Sequence, residues 1–309
     1  MNKEFYNNLE EELARLKQEG TYKKLRYLKS PLSNRASVEG LGDVIALCSN
    51  NYLGLADNPK IIEAGINALN KYGAGAASVR FICGTYDIHR ELEEKISKFL
   101  GKESALTYTS CWAANTAVIP ALLKPGDTVI SDELNHASII DGCRLLGREV
   151  KRLIYKHSDM ESLEEKLKEA GEKGTKLIAT DGVFSMEGDI ALLKHIMELA
   201  EKYGAIVMVD DSHATGVIGK TGKGTEEYYD ILGKADIITG TFGKALGGAG
   251  GGFIAGRKSV IDVCIQRSRP HLFSNSLPPP WNIWNQTLVL LNPCVKRSVI
   301  LGISLKKPG

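Results

Sequence analysis

The sequence lacks the features that mark several protein classes. It contains six cysteines, but no two form a C-x-x-C pair, so we expect neither a zinc site nor a dithiol redox motif. The formal net charge is only +2, which gives no reason to expect a nucleic-acid or membrane-surface partner. No apolar run approaches the roughly 20 residues of a membrane-spanning helix. The start, residues 1–16, is charged and amphipathic, unlike a signal peptide. These absences predict a cytoplasmic protein.

Two common nucleotide-binding motifs are also missing. Gly219-Lys220-Thr221 matches the end of a P-loop, but Ala214 occupies the position of the required first glycine. The glycine-rich stretch 247–252 does not form G-x-G-x-x-G after a strand. Nucleotide hydrolysis and a Rossmann dinucleotide site are therefore disfavoured.

Short apolar runs alternate with helical patterns from about residue 104 to 255. The runs are rich in β-branched residues, which is typical of strands buried on both faces. Strands that alternate with helices predict an α/β fold with a mostly parallel sheet flanked by helices. The predicted strands are Ala105–Thr109, Thr128–Ser131, Lys176–Thr180, Ala205–Asp210, Asp236–Thr239 and Gly252–Ala255, and the clearest helices are Asp87–Leu100, Ser158–Ala170 and Ala191–Tyr203.

Several reactive side chains follow these predicted strands, where ligands of parallel sheets bind. Asp210 could present a carboxylate to a ligand or simply cap the next turn. His136 also lies just after a strand, although a lone histidine is more often structural. Lys244 lies in a glycine-lined turn, where desolvation would make its amine nucleophilic, although most lysines are surface residues.

The strand-to-helix junction at Thr109-Ser110 could form a phosphate-binding site, because a helix start exposes free N–H groups. The alternative is that Thr109 or Ser110 is an ordinary N-cap. Each of these features is weak by itself. Together, an amine, an acid, an imidazole and a phosphate seat suit pyridoxal phosphate. Its aldehyde needs a lysine for a Schiff base, its ring nitrogen needs a carboxylate and its phosphate needs hydrogen-bond donors.

Seven stretches of the sequence resemble the α-oxoamine synthases, which are fold-type I pyridoxal-phosphate enzymes. They are SNNYLGLA (49–56), SVRFICGT (78–85), SDELNHASIIDG (131–142), TDGVFSMEGD (180–189), VMVDDSHATGVIG (207–219), ADIITGTFGKALGGAGGG (235–252) and RSRPHLFSNS (267–276).

The resemblance implies roles for five residues around the cofactor ring. Lys244 would bond to the cofactor aldehyde and later act as the base. Asp210 would pair with the ring nitrogen. His213, helped by Ser185, would hydrogen-bond near the ring hydroxyl. His136 would stack on the ring and assist the thioester carbonyl.

Five further residues are implied at the edges of the site. The backbone of Cys111 and Trp112, with Thr241, would hold the phosphate. Ser274 would reach the phosphate of the neighbouring subunit's cofactor in a homodimer. Asn50 would lie near the substrate carboxylate.

The motifs RFICGT, GTFGKALGGA and RPHLFSNS are most similar to family members that condense glycine with acetyl-CoA. The implied products are 2-amino-3-oxobutanoate and CoA, in threonine and glycine metabolism. Two alternatives stay open: condensation of alanine with a pimeloyl thioester in biotin synthesis, and a fragment that binds pyridoxal phosphate without catalysis.

The C-terminal part has a different composition. From residue 263 to 309 there is no Asp or Glu, and this part holds six of the ten prolines. It is either a proline-rich disordered tail or the product of a changed reading frame near Pro279, which would truncate the family's C-terminal domain and remove its carboxylate-binding arginine. We expect an N-terminal arm (1–55), a large cofactor-binding domain (56–262), and a truncated remnant with an unrelated tail (263–309).

Overall fold

The computed structural model describes residues 2–247 and 250–268. The chain divides into two compact units after Cys48, whereas the arm predicted from the sequence ran to residue 55. The first unit contains helix α1 (Lys3–Gln18) and an antiparallel hairpin of strands β1 (Arg35–Val38) and β2 (Gly42–Ile45). The predicted remnant and tail lie outside the described residues from position 269 onward.

The second unit is built on a seven-stranded sheet in the order β3-β9-β8-β7-β6-β4-β5. The neighbours from β8 across to β5 are parallel, and β9 is antiparallel to both of its neighbours. The mostly parallel α/β sheet predicted from the sequence is therefore confirmed. The strands are β3 (Ser104–Tyr108), β4 (Thr128–Asp132), β5 (Lys151–Tyr155), β6 (Lys176–Asp181), β7 (Ala205–Asp210), β8 (Ile237–Thr241) and β9 (Gly252–Gly256).

Helices flank this sheet, and several begin at a side chain that caps the first turn. Ser110 Oγ accepts the Ala113 N–H at 3.0 Å, and Asp159 Oδ1 accepts the Ser162 N–H at 2.9 Å. The described part of the chain contains no helix that is both long and apolar enough to cross a membrane. The helices are α2 (Pro59–Tyr72), α3 (Asp87–Leu100), α4 (Cys111–Leu122), α5 (Ala137–Arg144), α6 (Met160–Ala170), α7 (Leu193–Tyr203), α8 (Thr225–Tyr228) and α9 (Lys258–Arg267).

Apolar clusters cover both faces of the sheet, as the β-branched runs predicted. Successive strand residues point to opposite faces, so Leu177 joins one cluster and Ile178 the other. Val129 and Ile130 divide in the same way. Each such side chain stabilises the fold by about 1.5–3 kcal/mol when fully buried. The strands are thus fixed between two packed layers, and their carboxyl ends can hold side chains in defined positions.

Candidate active site

A cavity of about 170 Å³ lies at the carboxyl ends of the central strands. It brings together most of the residues singled out from the sequence. Its lining consists of Ser110, Cys111, Trp112, His136, Ser138, Asp181, Asp210, Ser212, His213, Thr241 and Lys244.

Asp210 ends β7 and is buried at the base of this cavity. Its carboxylate accepts hydrogen bonds from Asn115 Nδ2 at 2.5 Å and from the Ser212 N–H at 2.9 Å. The Cys111 thiol also donates to it at 3.7 Å, and burial followed by the charge of Asp210 raises the pKa of that thiol well above its ordinary value. Asp210 is therefore surrounded by neutral donors, and among the described residues no lysine or arginine lies within salt-bridge distance. Such a carboxylate is available to a cationic ligand.

Asp181 lies beside Asp210, because the register of β6 and β7 pairs these two residues. Its carboxylate accepts the His136 N–H at 3.1 Å and so holds the start of α5 at the cavity. Burial, reinforced by the charge of Asp210, raises the pKa of Asp181 to about 8. The raised pKa favours the protonated form of Asp181 near neutral pH, because that form avoids a second negative charge beside Asp210.

Lys244 meets His213 inside the cavity, with 2.7 Å between Lys244 Nζ and His213 Nε2. Burial lowers the pKa of Lys244. Burial and the nearby Lys244 amine lower the pKa of His213 to about 4. His213 is therefore a neutral imidazole at physiological pH and can accept a hydrogen bond from the lysine. The glycine-rich turn has placed an amine in a desolvated site, where it becomes a better nucleophile and base.

The turn that carries Lys244 is tied to the neighbouring strand. Thr241 Oγ1 donates to the Gly251 carbonyl at 3.2 Å and accepts the Gly243 N–H at 3.1 Å. Gly251 adopts a φ of 126°, which only glycine reaches easily. This backbone path returns the chain beside the start of α4 and keeps Thr241 at the cavity.

The start of α4, where a phosphate-binding site was predicted, lies at the cavity. The first N–H groups of a helix have no partner within the helix, so those of Cys111 and Trp112 can bind a phosphate. Strand β9 passes close to the start of α4. A Cβ at Gly252 would overlap the Cys111 backbone nitrogen, so only glycine fits there. Trp112 lies edge-on to His136, with 5.7 Å between ring centroids.

Two predicted site residues, Ser185 and Asn50, are not among the residues that line the cavity, and a third cannot be placed. Ser185 is exposed in the turn that follows β6. Asn50 is exposed, but its Oδ1 accepts from Tyr52 Oη at 3.1 Å, and that hydroxyl lies 2.7 Å from His213 Nδ1. Ser274 lies outside the described residues.

Besides the lining residues Ser138 and Ser212, three residues in or beside the site had no role in the sequence-based prediction. Asp181 occupies the same strand-end position as Asp210, and this signal could have identified it. Asn115 follows Cys111 by one helical turn, which places both side chains on the face of α4 toward Asp210. Tyr52 belongs to a loop before α2, so neither a strand end nor a helical spacing marks it as a site residue.

Comparison with known proteins agrees with the geometry of the site. The aminotransferase class I and II family matches residues 42–282. The chain belongs to this family. The resemblance to the α-oxoamine synthases and the fold-type I architecture predicted from the motifs are confirmed by the relatives and solved structures that follow.

Relatives of this aminotransferase-family chain carry two different names. The 2-amino-3-ketobutyrate coenzyme A ligase of Escherichia coli (strain K12) is 53% identical over 281 residues, which cover 90% of this chain and 70% of that protein. An 8-amino-7-oxononanoate synthase of Thermoanaerobacter pseudethanolicus is 52% identical, over 88% of this chain and 68% of that protein. Among solved structures, a variant of serine palmitoyltransferase from S. paucimobilis with a bound PLP–myriocin aldimine has a TM-score of 0.82 and 30% identity. That likeness covers 97% of this chain and 76% of the other.

The residues of the cavity fit pyridoxal phosphate, the cofactor of this group of aminotransferase-family proteins. Lys244 provides a desolvated amine for the aldehyde, and Asp210 provides a buried carboxylate with no cationic partner among the described residues. The N–H groups at the start of α4 could serve as donors for the phosphate. One buried acceptor next to Asp210, the Asn115 Oδ1 atom, has no hydrogen-bond partner within the described structure and could accept from a ligand.

Proposed function

We propose that the protein condenses glycine with acetyl-CoA to give 2-amino-3-oxobutanoate and CoA, with pyridoxal phosphate as its cofactor. The observation that carries this proposal is the desolvated Lys244 amine in one cavity with Asp210 and the start of α4. The relative at 53% identity named 2-amino-3-ketobutyrate coenzyme A ligase supports this choice of substrates. The activity is that of a glycine C-acetyltransferase, a pyridoxal-phosphate-dependent acyltransferase.

Lys244 has two tasks in this proposal. Its amine would hold the cofactor, and as a free amine it would accept the proton from the glycine Cα. Bound pyridoxal phosphate supplies an electron sink for the negative charge left on that carbon. The lowered pKa of Lys244 suits the second task, because a general base works best when its pKa is near the operating pH.

Asp210 and His213 set the charge of the site around this amine. The Asp210 carboxylate would keep a proton on the cofactor ring nitrogen, where positive charge is stabilised by burial beside an anion. His213 is neutral and accepts from Lys244. His136 would pack on the cofactor ring and polarise the thioester carbonyl.

The remaining assignments rest on the resemblance. The backbone of Cys111 and Trp112, with Thr241, would bind the phosphate, and Ser185 would lie near the ring hydroxyl. We also propose a homodimer, in which Ser274 of each chain reaches the other site, and a cytosolic location.

The experiment is glycine-dependent release of CoA from acetyl-CoA by the purified protein loaded with pyridoxal phosphate. CoA should be measured by chromatography, because Cys48 and Cys83 are exposed and would react with a thiol reagent. We expect release in the wild type and none in Lys244→Ala or when glycine is omitted. Lys244→Arg is a matched control that keeps a cation but cannot form the bond to the aldehyde. Equal release from the wild type and both variants would contradict the proposal.

A second candidate is the condensation of alanine with a pimeloyl thioester. It is favoured by one observation, the 8-amino-7-oxononanoate synthase relative, whose 52% identity is close to the 53% of the first. Replacing glycine and acetyl-CoA by alanine and pimeloyl-CoA in the same assay separates the two reactions. Faster CoA release with the second pair would favour this candidate.

The third alternative, a protein that binds the cofactor without turnover, predicts a different pair of results. The visible absorbance of lysine-bound pyridoxal phosphate would appear and would be lost in Lys244→Ala. Neither substrate pair would then release CoA.

A further inference from the structure

Four side chains form a continuous hydrogen-bonded row from the cavity to the surface. Lys244 Nζ lies 2.7 Å from His213 Nε2, and His213 Nδ1 lies 2.7 Å from Tyr52 Oη. Tyr52 Oη in turn lies 3.1 Å from Asn50 Oδ1. Only Lys244, His213 and Asn50 were assigned roles from the sequence; Tyr52 joins them.

Each side chain in this row donates to the next one, in the direction from Lys244 to Asn50. A lysine ammonium has only donors, so His213 Nε2 must accept from it. Burial lowers the pKa of His213 to about 4, so the ring carries one proton, which then lies on Nδ1. The Nδ1–H donates to Tyr52 Oη, and the single hydroxyl hydrogen of Tyr52 donates to Asn50 Oδ1.

We propose that Tyr52 is a positioning residue that holds His213 as the Nδ1–H tautomer, so that His213 Nε2 accepts from Lys244. Without an acceptor at Tyr52 Oη, the Nδ1–H loses its partner, and only the Lys244 hydrogen bond to Nε2 still favours this tautomer. The alternative Nε2–H tautomer cannot accept from the Lys244 ammonium, because its nitrogen then carries a hydrogen. Tyr52 therefore acts on the lysine through His213 and does not itself touch the amine.

Asn50 gives this row a consequence for substrate binding, which rests on the proposed function. A substrate carboxylate can only accept hydrogen bonds, so it would take the Nδ2 donors of Asn50. That leaves Oδ1 for Tyr52, the orientation already present in the structure. The same hydroxyl thus orients Asn50 toward the substrate and His213 toward Lys244.

Replacement of Tyr52 by phenylalanine isolates the hydroxyl from the packing of the ring. The Tyr52 side chain is 38% exposed, and its ring centroid lies 6.1 Å from that of His213, a contact that phenylalanine keeps. Tyr72→Phe is a matched control, since it removes a hydroxyl that is bonded to Asp87. Thermal unfolding of each variant checks that the fold is retained.

The first measurement uses cofactor-free protein with ¹⁵N-labelled histidine. Long-range proton–nitrogen correlation spectra report which ring nitrogen carries the hydrogen, and His213→Gln assigns the signals. We expect the Nδ1–H form of His213 in the wild type and Tyr72→Phe, and a clearly larger share of the Nε2–H form in Tyr52→Phe. Asn50→Leu should move the tautomer in the same direction, because the freed Tyr52 hydrogen can then donate to Nδ1. An unchanged tautomer in Tyr52→Phe would overturn the proposal.

The second measurement is the pH dependence of labelling of Lys244 by an amine reagent, read by mass spectrometry. Loss of one hydrogen bond from a charged group should lower the labelling midpoint by about one pH unit in Tyr52→Phe. An unchanged or raised midpoint would contradict the proposal. Both measurements are made without cofactor, so their outcome is separate from CoA release. A protein that shows the tautomer change but releases no CoA would refute the proposed function alone.

Discussion

Replacing Asp181 by asparagine tests the charge of the buried carboxyl pair at the base of the cavity. Asparagine has nearly the shape of a protonated aspartic acid, and its Oδ1 can still accept the His136 N–H that Asp181 accepts at 3.1 Å. Burial beside Asp210 raises the pKa of Asp181 from 3.8 to about 8 in the folded protein. Between these values the folded protein keeps a proton that the unfolded chain has lost.

The sign and size of the effect follow from this difference in bound protons. Because the folded state binds the extra proton, the contribution of Asp181 to stability is complete below its ordinary pKa and is lost as the pH rises toward the folded value. One proton corresponds to a slope of about 1.4 kcal/mol per pH unit. From about pH 5.5 to about pH 7.5, the free energy of unfolding of the wild type should therefore fall by roughly 2–3 kcal/mol relative to Asp181→Asn.

The assay is urea unfolding of both proteins at the two pH values, followed by far-ultraviolet circular dichroism. Asp43→Asn is the control, since Asp43 is exposed on β2 and its replacement should leave the pH dependence of the wild type unchanged. Asp211, whose pKa burial raises to about 7, titrates in the wild type and in the variant and so cancels from the comparison. If the difference between wild type and Asp181→Asn stayed constant over this range, Asp181 would be ionised in the folded protein and the reasoning would be refuted.

Two further predictions concern buried groups that support the strands of the site. Lys102→Met should lower the free energy of unfolding by about 3–5 kcal/mol, because it leaves Glu226, whose side chain is 3% exposed, without its cation at 3.0 Å. The double variant Lys102→Met, Glu226→Gln should lose less of the free energy of unfolding. If urea unfolding placed Lys102→Met within about 1 kcal/mol of the wild type, the prediction would be contradicted. Gly182→Ala should lower the free energy of unfolding by about 1–3 kcal/mol, because the new Cβ would overlap the buried Asp211 carboxylate. Thermal unfolding would measure this loss. Gly250→Ala, where the Cβ meets no atom within 4 Å, serves as the control; equal melting temperatures for the two variants would show that the site at 182 relaxes freely.

The strands and helices that could be read from the sequence were those with a strong local pattern. Ala205–Asp210 and Asp87–Leu100 have the predicted bounds, because one is an unbroken apolar run and the other an amphipathic helix that ends at Gly101. Strand β5 (Lys151–Tyr155) was missed. It lies at the edge of the sheet, and its charged, half-exposed residues lack the pattern of a buried strand.

The site residues that could be predicted were likewise those with a local signal in the sequence. Asp210, His136 and Lys244 could be selected because each follows a predicted strand, and the carboxyl ends of parallel strands meet at one edge. The resemblance to α-oxoamine synthases then supplied their implied roles, together with those of His213 and Thr241. Ser185 was expected at the cofactor, but the structure leaves it exposed outside the cavity lining.

The sequence by itself therefore determined which segments are buried strands, where the reactive side chains follow them, and which family the motifs resemble. Only the tertiary structure decided the antiparallel direction of β9, the pairing of Asp181 with Asp210, and the contact of Tyr52 with His213. The reason is physical: periodicity and strand ends are local properties of the chain. The protonation and hydrogen bonding of a buried group depend on partners that are distant in sequence, such as Tyr52 and His213, which are 161 positions apart.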